Sequence, residues 1–285
     1  MAEKRAEKAM SKEQKFRKAI RDRHFEKASL LITRDFQYNE ADEYGNTALM
    51  VSCDFGAEQI VSDLLNNYSS EDAQFFFTAG QKAQGKLNIN QPDLLGQTAL
   101  MYAAFGGHYS IVKMMLEAGA SINLKTTEGQ NALMKACYTH YQHTTPLVTM
   151  LLDEGAEINA ERKDGQTALM IASRSKNEQV VGLLVSRKAD INAVDHKGET
   201  CLHHAARECC KPILTFLASL GVDTNAKNKN GHVAGDITDF EESLQVNNNI
   251  EALQKDVRDA IEAGLKKKKN KRKEEVKDEG DIAVF

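Results

Sequence analysis

Two imidazoles and two thiols stand close together at His203-His204 and Cys209-Cys210. Both groups ligate zinc, so this cluster is the place to look for metal chemistry. Its paired spacing matches no zinc-site pattern, and the expectation is no metal and no cofactor. Nucleophilic and phosphate chemistry are also missing from the sequence. It has no G-x-x-x-x-G-K-S/T loop, no strand-turn-helix around a G-x-S-x-G serine and no H-E-x-x-H helix. With no substrate proposed by any motif, the chain reads as non-enzymatic.

A second kind of chemistry is electrostatic. Lys266, Lys267, Lys268, Lys269, Lys271, Arg272 and Lys273 put seven cations in eight residues, ahead of an acidic-mixed stretch from Glu274 to Asp281. Charge of this density without apolar periodicity predicts a disordered tail over residues 266–285. Three readings stay open for it: a nuclear import signal, a patch for a polyanionic partner, or a solvated solubility tail. The chain as a whole exerts no such pull. Its 37 Lys and Arg against 41 Asp and Glu leave a net charge of −4.

The elements that position any site are repeated. Gly45, Gly96, Gly129, Gly165, Gly198 and Gly231 recur at intervals of which three are 33 residues, and the other two exceed that by 18 and 3. Two residues after five of them come Thr47-Ala48-Leu49-Met50, Thr98-Ala99-Leu100-Met101, Asn131-Ala132-Leu133-Met134, Thr167-Ala168-Leu169-Met170 and Thr200-Cys201-Leu202-His203. Paired apolar residues follow, such as Ile60-Val61 with Leu64-Leu65 and Ile111-Val112 with Met115-Leu116, at the spacing of one buried helical stripe. Units close on Gly119-Ala120-Ser121-Ile122-Asn123 and its equivalents, a helix stop and a short extended segment. In the fourth unit Lys188 takes the glycine's slot, which predicts a left-handed lysine.

These residues resemble the T-P-L-H signature and period of the ankyrin repeat family. The resemblance implies an all-α fold, an ankyrin-repeat solenoid of stacked helix-turn-helix units with short β-hairpin loops, capped at both ends. It also gives His203 a structural slot in the signature and puts Cys209 where repeats turn. Cys53, Cys137 and Cys201 fall in small-residue slots of first helices, so none of the five cysteines looks like half of a disulfide.

Four regions follow. Residues 1–40 form an N-terminal capping unit, with Phe16, Ala19, Ile20, Ala28, Leu31 and Ile32 at helical spacing and an outer face including Lys15, Arg17, Lys18 and Arg21. Residues 41–249 hold the repeats, with an insertion near 68–86 whose Phe75-Phe76-Phe77 either packs on adjacent repeats or meets a partner. Residues 250–265 read as an amphipathic helix docked on the last repeat, and 266–285 are the tail. A charged N-terminus and the lack of any long apolar run predict neither secretion nor membrane insertion. The expected setting is intracellular, cytoplasmic or nuclear, with cytoskeletal or ciliary association also open.

The family resemblance implies partner contact at hairpin tips and at exposed first-helix positions. The tips are Glu43-Tyr44, Leu94-Leu95, Thr127-Glu128, Lys163-Asp164, His196-Lys197 and Lys229-Asn230. The helix positions are Asp54-Phe55, Phe105-Gly106, Tyr138-Thr139, Arg174-Ser175 and Arg207-Glu208. Tyr44, Phe55, Leu94, Leu95, Phe105 and Tyr138 make an aromatic half, and Arg174 and Arg207 belong to a basic half. The expected function is a protein–protein adaptor or scaffold, with a nuclear regulator of transcription factors or a cytoskeletal component as alternatives.

Overall fold

Each signature stretch starts a helix after its first residue, and in three of them the side chain of that residue caps it. Thr47 Oγ1 accepts from the Met50 amide at 3.3 Å, Asn131 Oδ1 from Met134 at 2.9 Å and Thr167 Oγ1 from Met170 at 3.5 Å. Such a cap satisfies one of the amides a helix start leaves open and contributes about 1 kcal/mol. The computed structural model describes residues 10–33, 36–69, 87–139, 141, 144–237, 255, 258–264 and 266–267. The Phe75-Phe76-Phe77 insertion and the tail beyond Lys267 lie outside the described residues. The chain divides into two compact units, Met1–Glu157 and Ile158–Phe285.

The first unit holds α1 (Lys12–Arg21), α2 (Phe25–Ser29), α3 (Ala48–Asp54), α4 (Glu58–Ser69), α5 (Ala99–Phe105), α6 (Tyr109–Glu117), α7 (Ala132–Cys137) and α8 (Thr144–Asp153). Helices this short are marginal alone and hold their shape by packing. The inner helices α3, α5 and α7 lie side by side, and α4, α6 and α8 back them. Leu49, Met50, Leu100, Met101, Leu133 and Met134 fill the inner layer, and Ile60, Ile111, Met115, Leu147 and Leu151 fill the outer one, all essentially inaccessible to water. Each such side chain contributes about 1.5–3 kcal/mol relative to exposure.

The N-terminal cap differs from expectation in two places. Arg17, expected on the charged outer face, is 2% exposed and donates to the Glu40 carbonyl at 2.9 Å. It shares a helical stripe with Glu13, Phe16 and Ile20, all buried, and α1 packs on α3. The second helix stops at Ser29, so half-buried Leu31 and Ile32 lie past its end. Phe36 takes up the packing instead, edge-on to Phe16 at 5.1 Å.

The second unit holds α9 (Ala168–Arg174), α10 (Glu178–Ser186), α11 (Cys201–Arg207), α12 (Lys211–Leu220) and a 3-10 turn at Ala234–Asp236. Packing repeats the same scheme: α9 lies on α11 and α10 on α12. Helical residues 258–264 cover α12, with Ala260 and Ile261 buried and Thr215 Oγ1 donating to the Ala260 carbonyl at 3.1 Å. Gly264 is required there, because a Cβ would run into the Thr215 carbonyl and Ala218.

The hairpin glycines explain the period. Gly45 has φ +86°, and a Cβ on it would come within 2.8 Å of the Leu94 amide of the next hairpin. Backbone bonds join successive tips, with Leu94 N donating to the Tyr44 carbonyl at 3.1 Å and Thr127 N to Leu95 at 2.8 Å. The closing asparagines form a second ladder: Asn90 Oδ1 accepts from Ser121 N at 2.8 Å and Asn123 Oδ1 from Glu157 N at 2.9 Å. The tips are turns, not strands; among the described residues one isolated bridge, Glu161 with Thr167, has strand pairing. No described helix is long and apolar enough to cross a membrane.

Lys188 adopts φ +64°. Glycine reaches that region without steric cost. Lys188→Gly is therefore expected to stabilise the chain by about 0.5–1 kcal/mol in chemical denaturation, the flexibility of unfolded glycine taking back part of the gain. A variant less stable than the parent would contradict the strain.

Candidate partner-binding surfaces

A carboxylate or its substitute opens most hairpins. Asp42, Asp93, Thr126, Asp195 and Asn228 each occupy the first position, three residues before the glycine, and each takes amides two and four residues on. Asp93 Oδ1 accepts from Leu95 and Gln97 at 2.8 and 2.7 Å, and Asp195 Oδ1 from Lys197 and Glu199 at 2.9 Å each. Turn geometry absorbs these groups and leaves the two tip side chains pointing out of the fold.

In the first unit the first two tips carry exposed apolar side chains, and the third is Thr127-Glu128. Tyr44 is 62% exposed, Leu94 71% and Leu95 60%. Phe105, at the end of α5, is 49% exposed, and the Lys135 ammonium lies 5.8 Å from its ring centroid while donating to Gln97 Oε1 at 2.7 Å. Phe55 and Tyr138 are only half-buried, and the Tyr138 hydroxyl accepts from Gln130 Nε2 at 3.1 Å. Thr139, placed by sequence among exposed positions, is buried, its hydroxyl donating to the Ala136 carbonyl at 2.9 Å. Tyr109 and Tyr141 also expose their rings.

The second unit is polar. Arg174 is exposed, whereas Arg207 forms a two-pronged pair with Glu199, at 2.9 and 2.7 Å, whose carboxylate side chain is 3% exposed. Burial alone would raise the Glu199 carboxyl, but the hydrogen bonds and charge of Arg207, with help from His204 and Asn228, hold it below the ordinary range. Lys266 and Lys267 are exposed; the other tail cations lie outside the described residues.

The zinc candidates do not come together as the sequence grouped them. Among the described residues, the group with ligand atoms within 4.8 Å of one another is Asp195, Glu199 and His204, all buried. Its donors already have partners: Asp195 serves two amides and His204 Nε2 at 3.1 Å, and Glu199 serves Arg207. A guanidinium thus supplies the positive charge a metal would bring. The first unit has a variant of this clasp, with Gln97 in the place of Glu199 and the Tyr102 hydroxyl donating to Asp93 Oδ2 at 2.7 Å from the same repeat position as His204. His203 meanwhile braces the start of α11, its Nδ1 accepting from the Thr200 amide at 3.2 Å. No disulfide joins the five cysteines, and burial pushes the Cys137 and Cys201 thiols up to about 12.

Burial also pushes the His203 and His204 imidazoles below their ordinary value of 6.5, outweighing the pull of Asp195 and Glu199. Below that value the unfolded chain takes up protons the folded one resists, so stability falls as pH drops through 6.5. Between neutral pH and pH 5.5 the loss cannot exceed about 1.3 kcal/mol for each group, the limit for an imidazole that stays neutral in the folded chain. His204→Tyr, which copies Tyr102, is expected to reduce that loss in urea titrations at both pH values. An undiminished slope would exclude His204 as a source.

A family model described as ankyrin repeats, in three copies, matches residues 73–161 and 140–228, together more than half of the chain. A probable E3 ubiquitin-protein ligase XBOS32 of Oryza sativa subsp. japonica is 52% identical over 44 residues, 15% of this chain and 9% of the relative. E3 ubiquitin-protein ligase XBAT32 of Arabidopsis thaliana is 50% identical over 38 residues, 13% of this chain and 8% of that protein. Ankyrin repeat and KH domain-containing protein mask-1 of Caenorhabditis elegans is 33% identical over 91 residues, 32% of this chain and 3% of its own length. The chain thus spans less than a tenth of each of these relatives.

Proposed function

This chain belongs to the ankyrin repeat family, and on that premise we propose that it is a non-catalytic adaptor or scaffold gripping a protein partner with the first unit's hairpin tips. The observation that carries this reading is the exposure of Tyr44, Leu94, Leu95 and Phe105 at positions where the turns need no large apolar group. Tip side chains in the second unit are polar or charged at the same slots, so the fold itself tolerates either. An aromatic anchor such as Tyr44 contributes about 2 kcal/mol or more where it forms the hot spot at the centre of an interface. The ligase names of two relatives bring no catalytic machinery to this reading, since the shared stretches are 44 and 38 residues long.

A photo-crosslinking amino acid placed at Leu95 tests it in the native cell. A specific protein adduct is expected there and none from the same probe at Lys113, an exposed position on α6. Adducts at Lys113 with none at Leu95 would move the interface to the outer helices.

A further inference from the structure

The second unit carries a charged surface that the apolar grip does not use. Its three hairpin tips present Lys163, His196, Lys197 and Lys229, all exposed, and Arg174 stands exposed at the end of α9. The tips are tied edge to edge: His196 N donates to the Asp164 carbonyl and Lys229 N to the Lys197 carbonyl, each at 2.8 Å. The cations therefore ride on consecutive loops in one row.

No carboxylate of these hairpins forms an ion pair with them among the described residues. Asp164 is held by Arg162 at 3.3 Å, Asp195 by two amides and His204, Glu199 by Arg207, and Glu208, just past α11, by Lys176 at 3.2 Å. Glu161 is exposed beside this row and Asp164 is partly so, yet Lys163, Arg174, Lys197 and Lys229 have no ion pair among the described residues. We propose that this row is a docking site for an acidic protein segment, an extended stretch rich in Asp and Glu.

Charge alone would also suit a nucleic acid, but one observation favours protein. Binding of single strands needs aromatic platforms for the bases, and Phe216 on α12 is the one phenylalanine or tyrosine among the second unit's described residues. The proposal stands whether or not the first unit's tips bind a partner.

The full-length chain is titrated into a fluorescein-labelled peptide of alternating Asp and Glu, and separately into a labelled single-stranded oligonucleotide of equal charge, by anisotropy at about 50 and 150 mM salt. The peptide is expected to bind more tightly than the oligonucleotide and to weaken with salt. Combining Lys163→Ser, Lys197→Ser and Lys229→Ser is expected to cost tenfold or more in peptide affinity, and Lys197→Ser alone about threefold. Arginine at the same three sites retains binding, as does serine at all seven tail cations from Lys266 to Lys273. Far-UV circular dichroism confirms folding of every variant. Failure of the parent to bind the peptide, tighter oligonucleotide binding, or loss of affinity in the tail variant with none in the triple variant would each overturn the proposal.

Discussion

A chain carrying both Leu94→Ser and Leu95→Ser is expected to unfold within about 0.5 kcal/mol per site of the parent, yet to lose tenfold or more of its affinity for the protein captured at Leu95. At 71% and 60% exposure the two leucines give the folded state little burial to lose. A leucine on the other side of the same turn shows the contrast: Leu100 is 1% exposed, and Leu100→Ala is expected to cost about 2–5 kcal/mol through the cavity it leaves. Thermal unfolding and quantitative pull-down on one preparation separate the outcomes. A stable variant with intact binding would remove these leucines from the interface. A large fall in melting temperature would mean they pack within the chain, under the 70–86 segment.

Arg207→Ala is expected to destabilise the second unit by about 3 kcal/mol or more, because it leaves the Glu199 carboxylate buried without its cation. Asn228 Nδ2, at 3.4 Å, is too weak a replacement for a two-pronged guanidinium. Arg174→Ala, removing an exposed side chain, is expected to stay within about 0.5 kcal/mol. Chemical denaturation of the two variants decides between a structural and a contact role for each arginine. Equal small effects would show that the Glu199 pair contributes little and would return Arg207 to the partner surface. A binding defect in Arg207→Ala with the expected instability reports unfolding, not a lost contact.

The repeated parts of this structure were readable because one physical requirement recurs at each of them. Each hairpin needs a left-handed residue facing the next hairpin, so glycine marks the tip, and the two side chains before it turn outward. Three of the inner helices take their first amides on the side-chain oxygen of the residue before them, which is threonine or asparagine. Arg207 was harder to read, since the period says which residues share a slot but not what a neighbouring slot holds. The signal was nevertheless present: the residue after the glycine is Asn46, Gln97, Gln130 and Gln166 in four units and Glu199 in the fifth, eight positions before Arg207. Likewise Tyr102 and His204 stand nine residues after Asp93 and Asp195, a pairing visible once the units are aligned. Burial of Arg17 could not be read this way, because α1 lacks the signature and its charged stripe looked like any solvated face.

Amide hydrogen exchange of the full chain with and without its captured partner tests the first unit's grip most directly. New protection is expected at residues 43–46, 94–97 and 127–130, with the outer helices 109–117 and 144–153 unchanged. Protection confined to those outer helices, or to the second unit alone, would contradict it.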